Sequence, residues 1–329
     1  MGSMSGNEIT TLRPLKISEY IGQGAAVRTL KVFIEAVKKK GLPTEHILLY
    51  GPPGIGKTTL ANIIAHELEG EMKVTSGAAM QKSGDLAAIL TNLKDHDILF
   101  IDEIHRLPKT VEEMLYPVME DYFLDIIIGK GPAARTVRLP IPRITIVGAT
   151  TRLALLSAPL RDRFGLLMRL DYYTDSEMEK IVDRSAGLLK MKIAKNVAKE
   201  IAKRSRRTPR LANRIIKRAH DMMVVNKHSE ISDEVLTDLF SLLELDDFGL
   251  TDVDRKYLKT IGIKFLNAPI GVNTIASAMS EDIQTIEDFI EPYLLQIGFL
   301  KRTSRGRQLT PKALQHLGVK TKPEQPQLV

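Results

Sequence analysis

A glycine-rich loop near the start of the chain has residue types and spacing that suit phosphate chemistry. Gly51 to Thr59 reads GPPGIGKTT and fits the pattern G-x-x-x-x-G-K-T between an apolar run and a helix-like segment. Glycines let backbone N–H groups close around phosphate oxygens, and the helix N-terminus adds its positive dipole end. We therefore predict that Lys57 binds the β- and γ-phosphates of a nucleotide and that the Thr58 hydroxyl binds Mg²⁺. The alternative, a glycine-rich turn that binds nothing, is disfavoured because the apolar run, the glycines, the lysine and the helix-like segment all indicate a phosphate-binding loop.

An acidic pair follows the next buried-strand candidate, Asp97–Ile101 (DILFI). Ligands of open α/β sheets bind outside the carboxyl ends of the strands, so Asp102 and Glu103 are expected near the glycine-rich loop. We predict that Asp102 holds Mg²⁺ and that Glu103 polarises the attacking water, because phosphoryl transfer depends on positioning and electrostatics. The alternative is a solvated loop. His105 fits a structural role at least as well as a functional one.

Polar residues further along the chain could complete such a site. Thr150 and Thr151 end a third apolar run, where a hydroxyl can bond the γ-phosphate or the water and report which nucleotide is bound. Arg163 lies in the sequence LRDRF, and an arginine presented across an interface can stabilise transition-state charge. Arg210 starts a helix-like segment and could reach back over the nucleotide. The alternatives are a strand-end turn, a surface arginine and a solvated helix face.

The elements that would position these residues alternate between strand-like and helix-like segments. His46–Tyr50, Asp97–Ile101 and Ile144–Gly148 read as buried strands, and Thr58–Leu68 has helical spacing. This alternation predicts an α/β fold with a parallel sheet covered by helices on both faces. Between the second and third strands, Tyr122–Leu139 is rich in β-forming residues around a Gly-Lys-Gly-Pro turn, which predicts an inserted β-hairpin.

The second half of the chain reads as two further domains. Segments with helical spacing predict a small all-helical domain: Asp175–Lys190, Asn196–Ser205, Pro209–Asn226 and Ser232–Leu245. Beyond a linker at Asp246–Gly249 come three more helical segments and a basic hairpin: Asp252–Lys264, Asn273–Met279, Ile283–Gln296 and Gly298–Thr310. Helix-turn-helix followed by a hairpin is the plan of a winged helix.

These patterns predict the following domain boundaries. A large ATPase-type domain covers residues 11–173, with the inserted hairpin at about 122–139, and a helical lid covers 174–246. A winged-helix DNA-binding domain covers 247–320. Residues 1–10 read as a tag remnant, and residues 321–329 as a disordered tail.

Composition narrows the possible functions. The chain has no cysteine, which excludes disulfides, thiolate catalysis and cysteine-ligated metals. No apolar run approaches the ~20 residues of a membrane span, so we expect a cytoplasmic protein with no membrane partner. The net charge of +7 permits a nucleic-acid partner without requiring one.

The distribution of the basic residues is more specific than the total charge. Tyr293–Pro323 contains no acidic residue, and its basic residues are Lys301, Arg302, Arg305, Arg307, Lys312, Lys320 and Lys322. Cations on the basic hairpin with no carboxylate nearby would repel one another unless something anionic lies opposite. We therefore predict that something anionic lies opposite this hairpin, with a solvated basic loop as the alternative.

Together, these motifs resemble the AAA+ ATPases, and longer segments are similar to the bacterial RuvB family within them. The segments that carry the resemblance are LRP at Leu12–Pro14, EYIGQ at Glu19–Gln23, HILLYGPPGIGKTTLA, DILFIDEIHRL, MEDYFLDIIIGKGPAARTVRLP, GATTR, PLRDRFG and EPYLLQIGFLKRTSRGR. They extend over roughly residues 11–320. The inserted hairpin and the C-terminal segment are specific to that family.

The resemblance implies an ATP-driven DNA translocase that promotes branch migration of Holliday junctions in recombination and DNA repair. RuvB proteins bind ATP or ADP with Mg²⁺ and form homohexameric rings around duplex DNA. They dock on RuvA through the inserted hairpin and act with RuvC in the resolving complex.

The resemblance also assigns roles to residues by motif. Nucleotide contacts would come from Leu12 and Arg13 at the adenine end, from Gly54, Gly56, Lys57, Thr58 and Thr59 at the phosphates, and from Tyr173 and Arg210. Glu120, Asp121 and Tyr122, which open the hairpin, are counted with this set. Arg163 would act in the site of a neighbouring subunit. Arg302, Arg305 and Arg307 would face DNA.

The chain departs from the family pattern at three places. Arg207 stands where the family usually has glycine before T-P-R, Phe265–Ala268 replaces a glycine-rich stretch, and Leu153-Ala154 replaces a small residue and glycine. None of these departures falls on the phosphate-binding motifs. They bear on the rate and on the fit to partners.

Two other classes of protein remain open. A clamp-loader-like or initiator-like AAA+ protein would use ATP binding to switch assembly, and the hairpin and wing segments disfavour it. A winged-helix DNA-binding regulator would only sense nucleotide. The intact Lys57, Glu103 and Arg163 disfavour that regulator, because a sensor needs no water-activating carboxylate.

Overall fold

A computed structural model describes residues 12–40, 45–128 and 135–319 of the chain. The predicted tag remnant at 1–10, the turn of the inserted hairpin at 129–134 and the predicted tail at 321–329 lie outside the described residues. The chain divides into two compact units, Met1–Lys192 with Arg207–Lys217, and Ile193–Arg206 with Arg218–Val329. No helix in the described ranges is long and apolar enough to cross a membrane.

A five-stranded parallel sheet forms the centre of the first unit. Its strands are β1 (Ile47–Tyr50), β2 (Met72–Ser76), β3 (Ile98–Asp102), β6 (Thr145–Thr150) and β7 (Leu166–Arg169). Across the sheet they lie in the order β2-β3-β6-β1-β7. The central strands β1, β3 and β6 are buried along almost their whole length, which explains their continuous apolar runs. The predicted parallel sheet is confirmed. The edge strands β2 and β7 were not predicted, because they are partly exposed and their sequences are mixed.

Helices of the first unit accompany this sheet. They are Gly24–Lys40, Lys57–Glu67, Ser83–Leu90, Lys109–Asp121, Ala158–Arg161 and Asp175–Leu188, with 3₁₀ turns at Ile17–Glu19, Ile104–Arg106 and Leu153–Leu155. Leu86, Leu115 and Leu160 on three of these helices join Leu99 and Ile146 of the sheet in one buried cluster. Burial of such apolar surface is the main stabilising contribution to this unit.

The inserted hairpin begins where the helix Lys109–Asp121 ends. Tyr122 has a left-handed backbone conformation (φ 58°) and turns the chain into β4 (Phe123–Ile128), which pairs antiparallel with β5 (Arg135–Pro140). At the base of the pair, the Tyr122 carbonyl accepts a hydrogen bond from the Ile141 N–H at 2.8 Å. Further out, Arg138 donates two hydrogen bonds to the carboxylate of Asp125, at 2.8 and 3.0 Å.

A buried histidine connects the sheet with the helix that leads into the hairpin. Nδ1 of His46 accepts the Ile146 N–H at 2.9 Å, and Nε2 lies 3.1 Å from the carbonyl oxygen of Met119. Because a backbone N–H can only donate and a carbonyl can only accept, both contacts together require the neutral ring with its proton on Nε2. Burial lowers the pKa of His46 to about 4.

The helices predicted for the lid are present with slightly different bounds. Beyond Asp175–Leu188 they are Lys195–Arg204, Pro209–Val225 and Asp233–Leu242. The helix Asp175–Leu188 starts at a capping box, in which the Thr174 hydroxyl accepts the Glu177 N–H and the Glu177 carboxylate accepts the Thr174 N–H. Pro209 stands at the first position of its helix, where the missing N–H costs no hydrogen bond.

The second unit contains a helical core and a hairpin. Its remaining helices are Asp252–Lys259, Val272–Met279, Ile283–Thr285, Glu291–Gln296 and Pro311–His316, with π-helical segments at Thr260–Lys264 and Ile286–Ile290. These π-helical segments modify two stretches that were predicted as plain helices. The strands β8 (Leu300–Thr303) and β9 (Gly306–Leu309), with the turn between them, are called the wing below.

The wing requires a glycine for a reason internal to the fold. Gly306 has φ 133°, and a Cβ at this position would lie 2.3 Å from the carbonyl oxygen of Ile270. Ile270 and Arg307 exchange two backbone hydrogen bonds, of 3.0 and 2.7 Å, which hold the wing against the helix-turn-helix. Any side chain at position 306 would separate these backbones.

The stretch predicted as a linker, Asp246–Gly249, is an ordered turn of the second unit. The Asp246 carboxylate accepts the N–H groups of Phe248 and Leu250 at 2.9 and 2.8 Å, and its other oxygen lies 2.9 Å from Nε2 of His316. Leu250, directly after the turn, is fully buried. An aspartate that caps its own turn explains why a polar, glycine-containing stretch is ordered here.

Acid should destabilise the protein through His46. The unfolded chain binds the His46 proton near pH 6.5, whereas the folded chain binds it near pH 4. The stability present above pH 6.5 is therefore lost as the pH falls toward 4, by about 3 kcal/mol for a shift of this size. We expect unfolding free energies from urea titration to fall more between about pH 7.5 and about pH 4.5 in the wild type than in His46→Gln. Equal pH dependence in the two proteins would contradict the assignment.

Candidate functional site

The glycine-rich loop connects β1 to the helix Lys57–Glu67 at the carboxyl edge of the sheet. Gly56 directly precedes this helix with φ 104°, and a Cβ there would come within 3.0 Å of the Tyr20 hydroxyl. Thr58 and Thr59 lie in the first turn of the helix, where backbone N–H groups have no partner within the helix. The loop therefore has the conformation and the free donors of an anion-binding site.

Lys57 is enclosed by this loop. It is 7% exposed, and its ammonium donates to the carbonyl oxygens of Gly51 and Pro52, both at 2.8 Å. Burial lowers the pKa of Lys57, while the nearby charges of Glu103 and Asp102 raise it. The ammonium is thus held by groups that a phosphate oxygen could replace.

The acidic pair lies at the end of β3, as predicted. Glu103 has a left-handed backbone conformation (φ 45°), and its carboxylate accepts hydrogen bonds from the hydroxyl of Thr151, at 3.1 and 3.3 Å, and from the Thr151 N–H at 3.3 Å. Nδ1 of His105 lies 3.2 Å from Glu103 and 2.9 Å from the Thr150 hydroxyl. The fold therefore brings Glu103, both threonines and His105 together, although they are distant in sequence.

A backbone contact steadies this acidic pair from the other side. The Gly77 N–H, directly after β2, donates to the Asp102 carbonyl at 2.8 Å. A Cβ on Gly77 would lie 2.5 Å from the carbonyl oxygen of Glu103. Sequence analysis did not identify Gly77, since nothing in the local sequence SGAAM indicated that β2 would be the neighbour of β3.

The donor set proposed for Mg²⁺ agrees with the chemistry of that ion. Mg²⁺ is usually bound by one or two protein oxygens together with substrate phosphates and waters, rather than by a cage of protein ligands. Thr58 and Asp102 offer a hydroxyl and a carboxylate. No group of three or more metal-binding His, Cys, Asp or Glu side chains occurs among the residues that the structure describes.

A pocket of the first unit lies beside the loop. It is lined by Leu12, Arg13, Pro14, Glu19, Tyr20, Ile21, Gly56, Thr59, Tyr173, Ile181, Arg184, Ser185, Pro209 and Asn213. The predicted residues Leu12, Arg13 and Tyr173 all belong to this lining. The Tyr173 hydroxyl donates to the Ile55 carbonyl at 3.1 Å and lies 3.1 Å from the hydroxyl of Tyr20, so the tyrosine pair packs on the loop itself.

Arg184 fixes the N-terminal segment on this pocket. Its guanidinium donates to the Leu12 carbonyl at 2.9 Å and lies 3.5 Å from the Glu19 carboxylate. Arg184 was not predicted, nor were Ser185 and Asn213, whose side chains share a hydrogen bond of 2.7 Å. These three residues lie on helices, where polar residues are usually exposed to solvent. Only the tertiary fold brings them to the pocket beside the loop.

Arg210 lies next to the loop through its backbone. The Arg210 N–H is 3.4 Å from the Gly54 carbonyl, and the Arg210 Cβ lies 3.3 Å from where a Cβ on Gly54 would be. The side chain is exposed.

Arg207, which replaces the expected glycine, has φ 54°, and its carbonyl accepts the Tyr173 N–H at 3.2 Å. A left-handed turn occurs here despite the side chain, which explains the family preference for glycine.

Arg163 contacts the helix Lys109–Asp121. Its guanidinium lies 4.1 Å from the ring centroid of Tyr116, 3.1 Å from the Glu120 carboxylate, and it donates to the Pro159 carbonyl at 2.6 Å. Glu120 thus pairs with Arg163. Asp121 ends the helix, and Tyr122, whose pKa is raised by burial, lies at the base of the hairpin beside His46. None of the contacts described for Arg163 involves the glycine-rich loop.

The wing differs from its prediction in one respect. Arg302 and Arg307 both pair with Glu291, a fully buried carboxylate, and Arg307 also donates to Glu287 at 2.7 Å. The expectation that no carboxylate lies near these cations was therefore wrong. It considered only the acid-free stretch of sequence, whereas both glutamates come from segments just before it.

The residues of the wing differ in exposure. The Arg302 side chain is 48% exposed, whereas that of Arg307 is 15% exposed. Arg305, at the turn, is exposed. The Tyr257 hydroxyl also donates to Glu291 at 2.8 Å, and burial raises the pKa of this phenol. Glu291 was not predicted as part of the wing.

Family models describe nearly the whole chain. Residues 12–170 match the Holliday junction DNA helicase RuvB P-loop domain. Residues 173–246 match the RuvB AAA lid domain, and residues 247–318 match the RuvB C-terminal winged helix domain.

Solved structures agree with these matches. The Thermotoga maritima RuvB Holliday junction branch migration motor is 46% identical over 94% of this chain and 99% of that one, with a TM-score of 0.84. A Thermotoga maritima RuvB point mutant is 46% identical over 95% of this chain and 100% of its own, with a TM-score of 0.86. With its P-loop domain, helical lid and winged helix all matched, the chain belongs to the RuvB family of P-loop ATPases.

Proposed function

We propose that this protein is an ATP-driven motor that moves duplex DNA and promotes branch migration of Holliday junctions. The observation that carries the proposal is the cluster at the carboxyl edge of the sheet, where the charge of Glu103 acts on Lys57 and its carboxylate bonds Thr151, in a member of the RuvB family. The family models and the Thermotoga maritima relative support DNA as the substrate. The proposal includes a homohexameric ring acting in the cytoplasm.

The chemical step would depend on positioning. Lys57 exchanges its two carbonyl partners for β- and γ-phosphate oxygens, which is favourable because a buried ammonium gains a true counter-charge. Glu103 orients and polarises the attacking water. Thr150 and Thr151 bond the γ-phosphate or that water, and their hydrogen bonds to His105 and Glu103 keep both side chains aimed at this point.

The remainder of the nucleotide would occupy the neighbouring pocket. The adenine end would lie against Leu12, Arg13 and Tyr173 of its lining. The phosphates would lie against Gly56 and Thr59 of the same lining and against Gly54 of the loop. Arg210 closes over the phosphates from the lid. When bound by Thr58 and Asp102, Mg²⁺ supplies positive charge that offsets charge developing on the transferred phosphoryl group.

Each site would be completed by a neighbouring subunit. Arg163 makes no described contact to its own glycine-rich loop, which supports a role in the site of the next subunit of a ring. Glu120, Asp121 and Tyr122 end the helix Lys109–Asp121 and lead directly into the hairpin β4–β5. We assign the hairpin to docking on RuvA, with RuvC joining in the resolving complex.

The wing would contact the DNA backbone. A motor must pass over any sequence, so its contacts belong on phosphates rather than on base edges. Arg302 and Arg305 are the more exposed arginines of the wing. Arg307, largely buried between Glu291 and Glu287, contributes charge and holds β9 in position.

Substitutions at Lys57 and Glu103 should separate binding from hydrolysis. Lys57→Ala should abolish nucleotide binding, because the phosphates lose their main counter-charge. Glu103→Gln should bind ATP normally and hydrolyse it poorly, because only water activation is lost. Titration calorimetry and turnover of both variants test this, and wild-type turnover in Glu103→Gln would refute the assignment of Glu103.

Mixed rings should reveal whether Arg163 acts between subunits. Arg163→Ala should lose about 10³-fold in hydrolysis while it retains ATP binding. Combining Arg163→Ala with Lys57→Ala subunits should recover activity where an intact loop meets an intact arginine. Absence of recovery in rings shown to contain both subunits would count against action between subunits.

Substitutions in the wing should separate DNA contact from fold. Lys301→Ala with Arg305→Ala, at two exposed residues of the wing for which no ion pair to Glu291 is described, should weaken binding equally on unrelated duplexes and lower the log–log salt slope by about 0.9 for each residue. Arg307→Ala should instead destabilise the second unit, on the order of 3 kcal/mol, because it leaves the buried Glu291 poorly compensated. Salt titrations and thermal melts distinguish these outcomes. An unchanged salt slope in the double variant would exclude the wing as the DNA contact.

A further inference from the structure

One face of the helix Lys109–Asp121 provides the side chains that hold Arg163. Glu112, Tyr116 and Glu120 are spaced four residues apart, so their side chains follow one another on the same face. Arg163 contacts two of them directly: its guanidinium lies 4.1 Å from the ring centroid of Tyr116 and 3.1 Å from the carboxylate of Glu120. This arrangement is favourable because the ring face carries partial negative charge.

The ring of Tyr116 is itself held in place. Its hydroxyl donates to Oε1 of Glu112 at 2.7 Å, and the Ser157 hydroxyl bonds the same carboxylate oxygen. Ser157 also caps the short helix Ala158–Arg161, accepting the Leu160 N–H at 3.2 Å. Glu112 therefore ties the ring of Tyr116 to the segment that carries Arg163.

The guanidinium of Arg163 is held by several contacts but does not use all of its hydrogen-bond donors. Nη1 donates to the Pro159 carbonyl, Nη2 pairs with Glu120, and Nε is buried with no hydrogen-bond partner among the described residues. A guanidinium has five N–H groups, so one remains on each terminal nitrogen. Two N–H donors on one planar guanidinium suit recognition of the oxygens of a phosphoryl group.

The ring of Tyr116 and the bonds to Pro159 and Glu120 together determine the orientation of this guanidinium. Holding a long, flexible side chain in one orientation removes the ordering cost from the step in which it is used.

We propose that Tyr116 is a positioning residue for Arg163: its ring, clamped by Glu112, holds the guanidinium ready for the nucleotide of a neighbouring subunit. This inference rests on the proposed role of Arg163 between subunits. Tyr116 acts through Arg163 and does not touch the nucleotide. Its loss therefore lowers turnover in the neighbour's site and leaves ATP binding in its own site intact.

The test compares Tyr116→Leu with Tyr116→Phe as the matched control. Phenylalanine keeps the aromatic face and loses only the bond to Glu112, whereas leucine removes the face. We expect Tyr116→Leu to lower kcat about 10-fold, within the range of a partly buried cation–π contact, with unchanged ATP affinity. Tyr116→Phe should remain within about 3-fold of the wild type. Equal kcat in all three proteins, or an effect confined to ATP affinity, would overturn the proposal.

Mixed rings separate positioning from a general structural role. In rings of Tyr116→Leu and Lys57→Ala subunits, an intact loop of the first variant meets a correctly held Arg163 of the second. Turnover per intact loop should rise toward the wild-type value at these junctions. No rise, with thermal melts altered in Tyr116→Leu, would mean that Tyr116 only stabilises the fold.

A parallel measurement on Arg163→Ala keeps the two claims apart. If Arg163→Ala retains turnover, the proposed action of Arg163 fails, and the role of Tyr116 fails with it. If Arg163→Ala is inactive while Tyr116→Leu turns over normally, only the positioning role is wrong. Should Tyr116→Leu not fold, Tyr116→Met makes the same comparison, because methionine fills an apolar site flexibly and has no aromatic face.

Discussion

The buried charge of Lys57 is the constraint on which the rest of the first unit depends. An ammonium that is 7% exposed has lost most of its hydration, and the carbonyl groups of Gly51 and Pro52 replace it only in part. The loop must therefore keep its shape, which the tyrosine pair at Tyr173 and Tyr20 secures through the Ile55 carbonyl. Asp102 and Glu103 at the neighbouring strand end raise the pKa of the lysine against the effect of burial. The oxygens of a bound phosphate would complete the set of partners that the Lys57 ammonium needs.

Much of this site could be predicted because its residues follow buried strands. The carboxyl ends of parallel strands meet at one edge, so the order of the motifs already implies that Lys57, Glu103 and Thr151 lie together. The edge strand β2 could not be predicted in the same way, because partial exposure removes the continuous apolar run. Because β2 was not predicted, the contact between the Gly77 N–H and the Asp102 carbonyl could not be predicted either.

The basic residues of the wing could be predicted from the sequence, but their ion-pair partners could not. These partners, Glu287 and Glu291, come from the segments that precede the acid-free stretch. A buried carboxylate with two arginines and the Tyr257 hydroxyl is a network that only tertiary structure assembles. The same holds for Arg163, which the sequence indicated as an arginine acting across an interface or as a surface residue, without indicating that its guanidinium lies on Tyr116. In both cases an arginine is held by partners that only the folded chain brings together.

The most direct test of this account is a cryo-EM structure of the protein on duplex DNA with Mg²⁺ and a non-hydrolysable ATP analogue. We expect a ring in which Lys57 has left the carbonyl groups of Gly51 and Pro52 for phosphate oxygens at about 3 Å. We also expect Arg163 to reach the γ-phosphate of the neighbouring subunit while its guanidinium stays on the ring of Tyr116. A ring in which every Arg163 lies away from all nucleotides, with Lys57 still on its two carbonyl groups, would contradict it.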